Sequence, residues 1–408
     1  MKALMKLKIL NSIRIYGPIS RTTISKNLQI SMTAVTVYIS QLIKENFIEE
    51  IGTEESKGGR KPILLKVKKD TGYVIGIDFG QGYFRIGLGD LDGNIIYKEK
   101  ILSKQLGDKN TGIDIIIKMI EEIIEKNITD KNKLKGISIA LSAIIDINRG
   151  FCYTIPNLKG WENVDIVEIF EERFKIPVYI DDSTRLAALA ESASVKGRIK
   201  DLAYINIGVG IGAGIIIDWK LLKGENGIAG ELGHIIVEEN GLQCGCGNKG
   251  CLEQYIATPS LIRRVKDSIK DGVQSVIIAK ANNNIELIDT KIIAEAVEER
   301  DKLALNIVLD AGKYLGIGLS HIVTLFNPKL IIIGGGGINI SDYIIEEAIK
   351  ICNIRSVNQA VKNVKIVKSS LGEYSTLMGA ITMFLDYYFG LNDVINESIF
   401  NLGNAEDV

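Results

Sequence analysis

The sequence predicts an α/β protein that carries a small, mainly helical module at its N-terminus. Strand-like apolar runs alternate with helix-sized amphipathic segments after residue 72, and this alternation is typical of α/β folds. The segments 73–90 and 202–218 both read as strand, glycine turn and strand, which indicates a duplicated body. Three helix-sized segments within the first 45 residues set the N-terminal module apart from that body.

Length and composition limit the class of protein. The 408 residues exceed what one core needs and predict two or three domains. A hydrophobic content of 46% with 24% charged residues is normal for a soluble globular protein. Apolar runs such as Leu330–Ile333 are much shorter than the roughly 20 residues that span a bilayer, and lysines interrupt any N-terminal signal segment. We therefore expect a cytoplasmic protein without a membrane partner.

Charge is divided unevenly along the chain. Residues 1–69 contain 13 Lys/Arg and 5 Asp/Glu, a balance of +8, whereas the remaining 339 residues contain 36 and 45, a balance of −9. A basic head on an acidic body favours a polyanion-binding module at the N-terminus. A lysine-rich solvated surface would give the same balance, so charge alone leaves both interpretations open.

Two amphipathic helices begin the N-terminal module. The first is predicted over residues 3–15 and ends at Gly17-Pro18, because proline cannot continue a helix. Ser20 is a suitable N-cap for the second, which runs to about Leu28. The side chains expected to face inward are those of Leu4, Leu7, Leu10, Ile13, Ile24 and Leu28.

A third helix is predicted from Met32 to about Glu45, with Ser31 as its N-cap. Helical spacing directs one set of apolar residues inward, namely Val35, Ile39, Leu42 and Ile43. The opposite face presents small, polar or methyl-bearing side chains, namely Thr33, Thr36, Val37 and Ser40. Two short strands follow at 46–52 and 61–67, joined by a flexible polar loop.

This order of elements is the layout of a winged helix-turn-helix, in which the third helix enters the major groove and reads base edges. The residues expected to contact DNA are Ser31, Thr33, Thr36, Ser40, Arg60 and Lys61. Arg60 and Lys61 lie on the ribbon, where they can reach phosphates or a narrow minor groove. A small helical protein-interaction domain is the alternative. A linker at Lys68–Gly72 closes the module.

The body reads as two sets of strands and helices. The predicted elements are a three-stranded meander at 73–100, a helix at 111–126, a strand at 134–143, a strand running into a helix at 181–183, a strand–turn–strand at 201–218 and a buried strand at 329–337. The glycine-rich turns at 208–214 and 334–337 could bring backbone amides to a phosphate or a sugar, or could be only tight turns.

Cysteine and histidine are rare in this chain but cluster between residues 234 and 251. Cys244, Cys246 and Cys251 with His234 supply three sulfur ligands and one nitrogen, which is a complete tetrahedral set for zinc. Clustered cysteines in a reducing compartment favour a metal or catalysis over disulfides. Because a catalytic zinc keeps a position open for water, four protein ligands predict a structural Zn²⁺. Three unrelated buried cysteines are the alternative.

Carboxylates provide further candidate site residues. Asp181 and Asp182 lie at a strand end, where ligands of open α/β sheets bind. They could hold sugar hydroxyls, with one acting as a general base, or they could be a helix N-cap and its neighbour. Glu231 and Glu253 flank the metal cluster and would be carried by its loop.

These motifs resemble the ROK family of sugar kinases and sugar-responsive repressors over nearly the full chain. The matching stretches are 155–161, 181–191, 208–215, 229–253 and 331–337, of which 229–253 is the most specific. The N-terminal winged helix and its Gly-Gly-Arg-Lys-Pro wing resemble the repressor branch, which includes regulators of the xylose repressor and N-acetylglucosamine repressor type. The family kinases lack that module.

The resemblance implies a two-lobed, actin-like (ribonuclease H-like) fold with a sugar in its cleft. The domains implied are the winged helix at 1–69, a first lobe at 70–190 rejoined by a C-terminal helix at 375–408, and a second lobe at 191–374 with a zinc-binding loop at 234–251. The residues implied around the sugar are Asn157, Asp181, Asp182, Glu231, His234 and Glu253. His234 would also be a zinc ligand, and Asp182 would take the place of the kinase general base.

Two glycine turns depart from the kinase pattern. Family kinases open with Asp-x-Gly-Gly-Thr, whereas residues 78–83 place the side chain of Gln81 where phosphate needs bare backbone. Val209 stands where the kinases usually have threonine, and Asp181 replaces the usual asparagine. Phosphoryl transfer depends on positioning and charge stabilisation, so these departures argue against useful kinase activity even with Asp182 present.

We therefore expect a sugar-responsive repressor whose partners are operator DNA and a sugar or sugar phosphate. The resemblance implies a homodimer or homotetramer, and a symmetric dimer would match a palindromic operator. One alternative is an ATP-dependent, glucokinase-like sugar kinase with a DNA-binding head. Another is a non-catalytic scaffold that binds neither DNA nor sugar.

Overall fold

The computed structural model describes residues 2–53, 62–156, 158–195 and 198–394. The predicted DNA contacts Arg60 and Lys61 and the predicted sugar contact Asn157 lie outside these ranges. The chain divides into two compact units: the first comprises residues 1–200, 218–220 and 374–408, and the second comprises residues 201–217 and 221–373. The segments 1–69 and 70–190, expected to be separate domains, thus belong to one compact unit. The first continuous part of this unit extends to Lys200.

The N-terminal segment of the first unit folds as α1 (Lys2–Tyr16), β1 (Ile19–Ser20), α2 (Arg21–Leu28), α3 (Met32–Lys44), β2 (Ile48–Thr53) and β3 (Ile63–Val67). Strand β3 lies between β1 and β2 and is antiparallel to both. Ser20 caps α2 by accepting a hydrogen bond from the backbone of Thr23 at 3.2 Å, and Ser31 caps α3 by accepting one from Ala34 at 3.3 Å. The predicted helices and caps of this segment are confirmed.

The inward face of α3 is narrower than predicted. Val35, Ile39 and Leu42 are fully buried, but Ile43 is 37% exposed. Ile43 lies about 100° round the helix from Leu42, at the edge of the buried stripe, where the core does not cover it. Leu4, also predicted inward, is 47% exposed because it lies in the first turn of α1, before the buried residues of that helix begin.

The remainder of the first unit is built on a mixed sheet. Its elements are β4 (Tyr73–Phe79), β5 (Tyr83–Asp90), β6 (Ile95–Leu102), α4 (Lys109–Asn127), β7 (Leu134–Leu141), β8 (Ile144–Asp146), β9 (Phe151–Thr154), β10 (Glu162–Val164), α5 (Ile166–Phe174), β11 (Val178–Asp182) and α6 (Ser183–Ala193). The sheet order is β6-β5-β4-β7-β11, with the antiparallel meander on one side of β4 and parallel strands on the other. Strands β8, β9 and β10 form a separate small antiparallel sheet.

The second unit repeats this topology. Its elements are β12 (Leu202–Ile207), β13 (Ile211–Ile217), β14 (Lys220–Leu221), α7 (Glu253–Ile256), α8 (Thr258–Lys270), α9 (Val276–Lys280), α10 (Thr290–Glu298), α11 (Lys302–Phe326), β15 (Leu330–Gly334), α12 (Tyr343–Arg355), α13 (Asn358–Val361) and β16 (Lys365–Lys368). The sheet order is β14-β13-β12-β15-β16, and β12 pairs antiparallel with β13 and parallel with β15. The duplicated architecture predicted from the two similar openings is confirmed.

Two helices define the cores. Within the described ranges, α11 is the helix long and apolar enough to cross a membrane by length and composition, but 72% of its most apolar window is buried inside the protein, as in the core helix of a globular domain. The chain then returns to the first unit as α14 (Ser375–Tyr388). Ile381, Phe384 and Phe389 on and after α14 share one hydrophobic core with the N-terminal helices. The N-terminal segment and the first sheet are therefore joined through α14.

Candidate functional site

The four predicted metal ligands converge in the second unit, on the chain between β14 and α7. The Nδ1 atom of His234 lies 3.7 Å from Sγ of Cys244, and Sγ of Cys246 lies 3.6 Å from Sγ of Cys251. All four ligand atoms lie within 4.8 Å of one another. Ligands about 2.3 Å from a tetrahedral centre are about 3.8 Å apart, so this cluster could hold a metal ion.

Local backbone geometry shapes the cysteine loop. The amide of Cys244 donates to the carbonyl of Asn248 at 2.8 Å, which closes a tight turn around Cys246. Gly250 has a φ of +76°, and a Cβ at this position would meet the carbonyl oxygen of Glu238 at 1.7 Å. Only glycine fits there, so the loop can return beside its own incoming segment at Glu238 and bring Cys251 back to the cluster.

The thiols of the cluster differ in acidity. Burial raises the pKa of Cys251 to about 12, whereas hydrogen bonding from the backbone at Asn248 lowers the pKa of Cys246. Metal ligation requires the thiolate form. A metal must therefore displace a firmly held proton from Cys251, and affinity for the metal falls as the pH is lowered.

His234 offers different groups on its two sides. Its Nδ1 faces Cys244, while its Nε2 lies 3.9 Å from Oε2 of Glu231, a residue whose side chain is 58% exposed. A metal held by Nδ1 leaves Nε2 with its hydrogen, available for donation. The structure therefore brings His234 and Glu231 together on an accessible edge of the Cys₃His cluster.

Glu253 connects the metal loop to the glycine turn between β12 and β13. Its Oε2 accepts a hydrogen bond from the backbone of Ile211 at 3.3 Å. The turn is closed by a 3.0 Å bond from the Gly208 amide to the Gly210 carbonyl, and Gly208 also accepts from the Thr258 amide at 2.9 Å. Val209 projects from this turn with 41% of its surface exposed. The turn thus presents an aliphatic side chain and no hydroxyl at that position.

Asp181 and Asp182 differ sharply in environment. Asp182 is the N-cap of α6, since its Oδ1 accepts from the amides of Thr184 and Arg185 at 2.9 and 3.0 Å. Burial raises the pKa of Asp182. Asp181 is fully buried, and its Oδ1 accepts from Nε of Arg185 and from the Asp182 amide, both at 2.7 Å. Its carboxylate is directed into the first unit, and it fixes the start of α6.

Asp78, at the end of β4, is paired with a cation of the chain itself. Its Oδ2 accepts a hydrogen bond from Nη1 of Arg85 on β5 at 2.9 Å, and the Arg85 guanidinium lies 5.4 Å from the ring centre of Tyr83. Burial raises the pKa of Asp78 to about 6, although the Arg85 charge opposes that shift. The turn at 78–83 thus carries a buried Asp78–Arg85 pair at its base, in addition to the side chain of Gln81.

Arg85 and Arg185 are the site residues that the sequence reasoning missed. Both carried a recognisable signal. Arg185 follows Asp181 by four residues, across the predicted junction between a strand and a helix, so the two side chains are within reach of each other. Arg85 lies directly opposite Asp78 in the β4–β5 register, which the predicted turn at 80–82 already implied.

Two units of equal topology, one of which carries a Cys₃His loop beside a glycine turn, define a duplicated α/β protein of the sugar-kinase type. The chain belongs to the ROK family, whose sequence profile matches residues 74–387. It is 35% identical to the xylose repressor of Caldicellulosiruptor bescii, over 94% of this chain and 96% of that protein.

Solved structures agree with this assignment. A ROK family transcriptional regulator described as a homologue of the Escherichia coli MLC protein superimposes with a TM-score of 0.79 at 27% identity, over 97% of this chain and all of that one. A ROK family glucokinase from Streptomyces griseus, solved with glucose and AMPPNP, superimposes with a TM-score of 0.66 at 26% identity, over 76% of this chain and 99% of that one. The body therefore has the actin-like fold of the sugar kinases, and the regulator is matched over more of the chain.

Proposed function

We propose that the protein is a sugar-responsive transcriptional repressor. Residues 1–69 form a winged helix that binds operator DNA, and the body binds a sugar or sugar phosphate that changes the affinity for DNA. The observation that carries this proposal is the exposed polar face of α3 on a chain whose body is a ROK sugar-kinase fold with altered phosphate turns. The similarity to a xylose repressor along nearly the whole chain supports it.

The DNA-binding face is proposed on α3. Ser31, Thr33, Thr36 and Ser40 are all exposed, and the preceding balance of +8 over residues 1–69 suits a phosphate backbone. Arg60 and Lys61 complete the predicted contacts on the wing. A labelled fragment of the protein's own promoter should bind in a salt-dependent manner, as measured by fluorescence anisotropy.

Alanine at Thr33 and Thr36 should weaken binding to that promoter fragment more than binding to an unrelated fragment, because base contacts specify and phosphate contacts do not. Thr111→Ala is the matched control, since Thr111 is also an exposed threonine near the start of a helix, here α4 of the body. Equal affinity of wild-type protein for every fragment would contradict the proposal.

The proposed sugar contacts are Asp182, Glu231, His234 and Glu253, together with Asn157. Asp181 was predicted as a further contact, but its burial and its bonds to Arg185 and the Asp182 amide support a positioning role instead. Asp182→Asn tests the site cleanly because asparagine is as good an N-cap as aspartate. It should weaken sugar binding in calorimetric titration, with D-xylose and D-glucose as the first sugars tested.

Asp108→Asn is the matched control for that substitution. Asp108 caps α4 through bonds of 3.0 and 3.1 Å to the amides of Asn110 and Thr111, as Asp182 caps α6. This variant should keep the wild-type dissociation constant. An unchanged dissociation constant in Asp182→Asn would remove Asp182 from the sugar site.

We propose that the Cys₃His cluster holds a structural Zn²⁺, because soft thiolates with one imidazole in tetrahedral number select zinc. The metal fixes the loop that carries Glu231 and His234. Cys246→Ser should therefore abolish the sugar response while the N-terminal helices stay folded. Cys352→Ser is the control, since Cys352 is a buried cysteine on α12 outside the cluster. Retained sugar affinity in Cys246→Ser would contradict this coupling.

An ATP-dependent sugar kinase with a DNA-binding head is the second candidate, favoured by the presence of Asp182 at the position of the kinase base. The Asp78–Arg85 pair and the exposed Val209 favour the repressor. Purified protein with ATP and a panel of hexoses and pentoses distinguishes the two. Turnover within the usual kinase range of roughly 1–100 per second would contradict the repressor proposal.

We further infer that the protein acts in the cytoplasm as a homodimer or homotetramer, since a two-fold symmetric protein matches a palindromic operator. Light scattering coupled to size-exclusion chromatography measures the assembly. A monomer at every concentration tested would contradict this inference.

A further inference from the structure

Three of the four points at which the chain passes between its two units lie next to segments whose side chains contact α1 or its ion partner. The passages lie at 200/201, 217/218, 220/221 and 373/374. Residues 198–200 and 218–220 are the parts of the first unit next to three of these passages, and α14 begins directly after the fourth. Each of these parts holds a side chain that reaches α1 or its ion cluster.

The first connection is a buried cluster of three charges. Asp386, on α14, receives two hydrogen bonds from Arg198, at 2.8 and 2.6 Å, and one from Arg14 of α1 at 2.5 Å. The three side chains are only 5–7% exposed. Burial alone would raise the pKa of Asp386, but the two guanidinium groups outweigh it and hold that pKa below its usual value. Asp386 thus stays charged and ties α1, α14 and the 198–200 segment together.

Polar bonds extend this cluster along α1. Asn11 donates to the carbonyl of Phe389 at 2.9 Å and accepts from Nε of Arg14 at 3.3 Å. The Arg14 guanidinium also lies 5.4 Å from the ring centre of Phe389. The inner face of α1 is therefore fixed to the end of α14 by directional bonds as well as by apolar packing.

The second connection is Trp219, which lies in the turn between β13 and β14. It is 8% exposed and packs with Leu391 and Val394, beside Leu7 and Ile15 of α1. Its amide donates to the carbonyl of Lys200 at 2.9 Å, and the Lys200 ammonium lies 5.3 Å from its ring centre. The turn that interrupts the second unit is thus held against the first helix of the DNA-binding head.

The backbone of this turn is unusual for its residues. Asp218 and Trp219 have φ values of +50° and +61°, the pair of left-handed conformations that a two-residue type I′ hairpin requires and that asparagine and glycine normally supply. A bulky side chain in this region is strained and persists only where its surroundings hold it.

The duplicated body provides an internal comparison. The equivalent turn of the first unit, between β5 and β6, contains Asp92 and Gly93, and its positive φ of +90° falls on the glycine. The shared topology therefore does not demand tryptophan at this turn. The side chain at Trp219 is explained by its contact with α1.

We propose that Trp219 and the Arg14–Asp386–Arg198 cluster transmit the sugar signal to the DNA-binding head. This inference rests on the proposed function. A change of the body on sugar binding displaces the passage segments, and because these segments are anchored on α1, the displacement reaches the head. Two discrete arrangements of such anchors suffice to couple two sites, provided that the sugar binds one arrangement better than the other.

Trp219→Gly removes the contact with α1 while keeping the turn, since Asp-Gly is a favoured type I′ turn. Promoter affinity of the full-length protein is measured by anisotropy with and without D-xylose or D-glucose, and sugar affinity is measured separately by calorimetry. Sugar should change the promoter affinity of the wild type by about 5- to 150-fold, the usual range of allosteric coupling. In Trp219→Gly the change should disappear while sugar and promoter still bind. Trp219→Phe, which keeps an aromatic ring, should retain most of it.

Arg198→Met provides a second, independent variant. The cluster holds two guanidinium groups and one carboxylate, so this change leaves a balanced Arg14–Asp386 pair and should not disrupt the core. It should also reduce the sugar effect, whereas Arg173→Met, which removes an exposed arginine of α5 paired with Glu121, should not. Full sugar response in both Trp219→Gly and Arg198→Met would overturn this inference alone. A wild-type protein whose DNA affinity no sugar alters would overturn the proposed function together with it.

Discussion

Replacement of Arg185 by methionine leaves the Asp181 carboxylate inside the first unit without its guanidinium partner. The two side chains are 0% and 2% exposed, and they meet at 2.7 Å. Breaking a buried pair by removing one partner typically costs about 3–5 kcal/mol, because the remaining charge stays desolvated. Since whole domains are stable by only about 5–15 kcal/mol, Arg185→Met should lower the stability of the first unit severely.

The chain offers a matched exposed pair for comparison. Glu122 and Lys126 have the same four-residue spacing on α4, with an Nζ–Oε2 distance of 3.0 Å and side chains that are 47% and 61% exposed. Water screens such a pair, so it stabilises little. The free energy of unfolding of Lys126→Met should therefore be close to that of the wild type. The double variant Asp181→Asn/Arg185→Met removes both buried charges and should recover most of the stability lost in Arg185→Met.

Urea unfolding followed by tryptophan fluorescence measures this series directly. The chain has two tryptophans, and both Trp161 and Trp219 belong to the first unit, so the signal reports on the unit that contains the pair. If Arg185→Met loses no more stability than Lys126→Met, the buried pair does not stabilise the first unit in the way expected from its burial. A double variant as unstable as Arg185→Met would show that packing, rather than charge, sets the cost.

Three further changes have defined outcomes. Ser31→Ala should destabilise the N-terminal segment by about 1 kcal/mol in urea unfolding, since it removes the cap of α3, whereas Ser31→Asp should keep that stability and weaken promoter binding through charge. The free energy of unfolding of the wild type, relative to that of Asp78→Asn, should increase as the pH falls from 7 toward 4. The reason is that burial raises the pKa of Asp78 to about 6, so the folded state disfavours the charged carboxylate. A difference between the two proteins that does not change with pH would contradict that burial effect. Freshly purified protein should contain one metal ion per chain by mass spectrometry of the elements, and none in Cys251→Ala.

Local signals were sufficient to predict the helices, their caps and the clustering of His234 with the three cysteines. Ser20 and Ser31 each act within three residues of themselves, and the cysteines lie on one short loop, so neighbouring sequence contains most of the relevant geometry. The errors at Leu4 and Ile43 arise where the width of a buried stripe depends on what packs against it. That width is a property of the assembled core and is not encoded in the helical period.

Roles that depend on burial could not be derived in the same way. Asp181 and Asp182 are adjacent acids with equal sequence signals, yet alternation along β11 and the position of α6 direct one inward and leave the other at the helix start. The Asp78–Arg85 pair could have been predicted from the sequence, because pairing the two strands across the predicted turn places Arg85 opposite Asp78. Tertiary placement, rather than residue type, separated these carboxylates.

The Asp78–Arg85 pair also bears on how a kinase fold can serve a repressor. In a kinase, binding energy is most effective when it is expressed only in the transition state. In a regulator, the same energy must instead distinguish two conformations of the protein. A carboxylate neutralised by Arg85 is poorly suited to organising phosphoryl transfer, whereas sugar contacts elsewhere remain unaffected by that pairing. On the proposed function, the body no longer catalyses phosphoryl transfer. The free energy of sugar binding can then displace the residues anchored on α1, namely Trp219 and the Arg14–Asp386–Arg198 cluster.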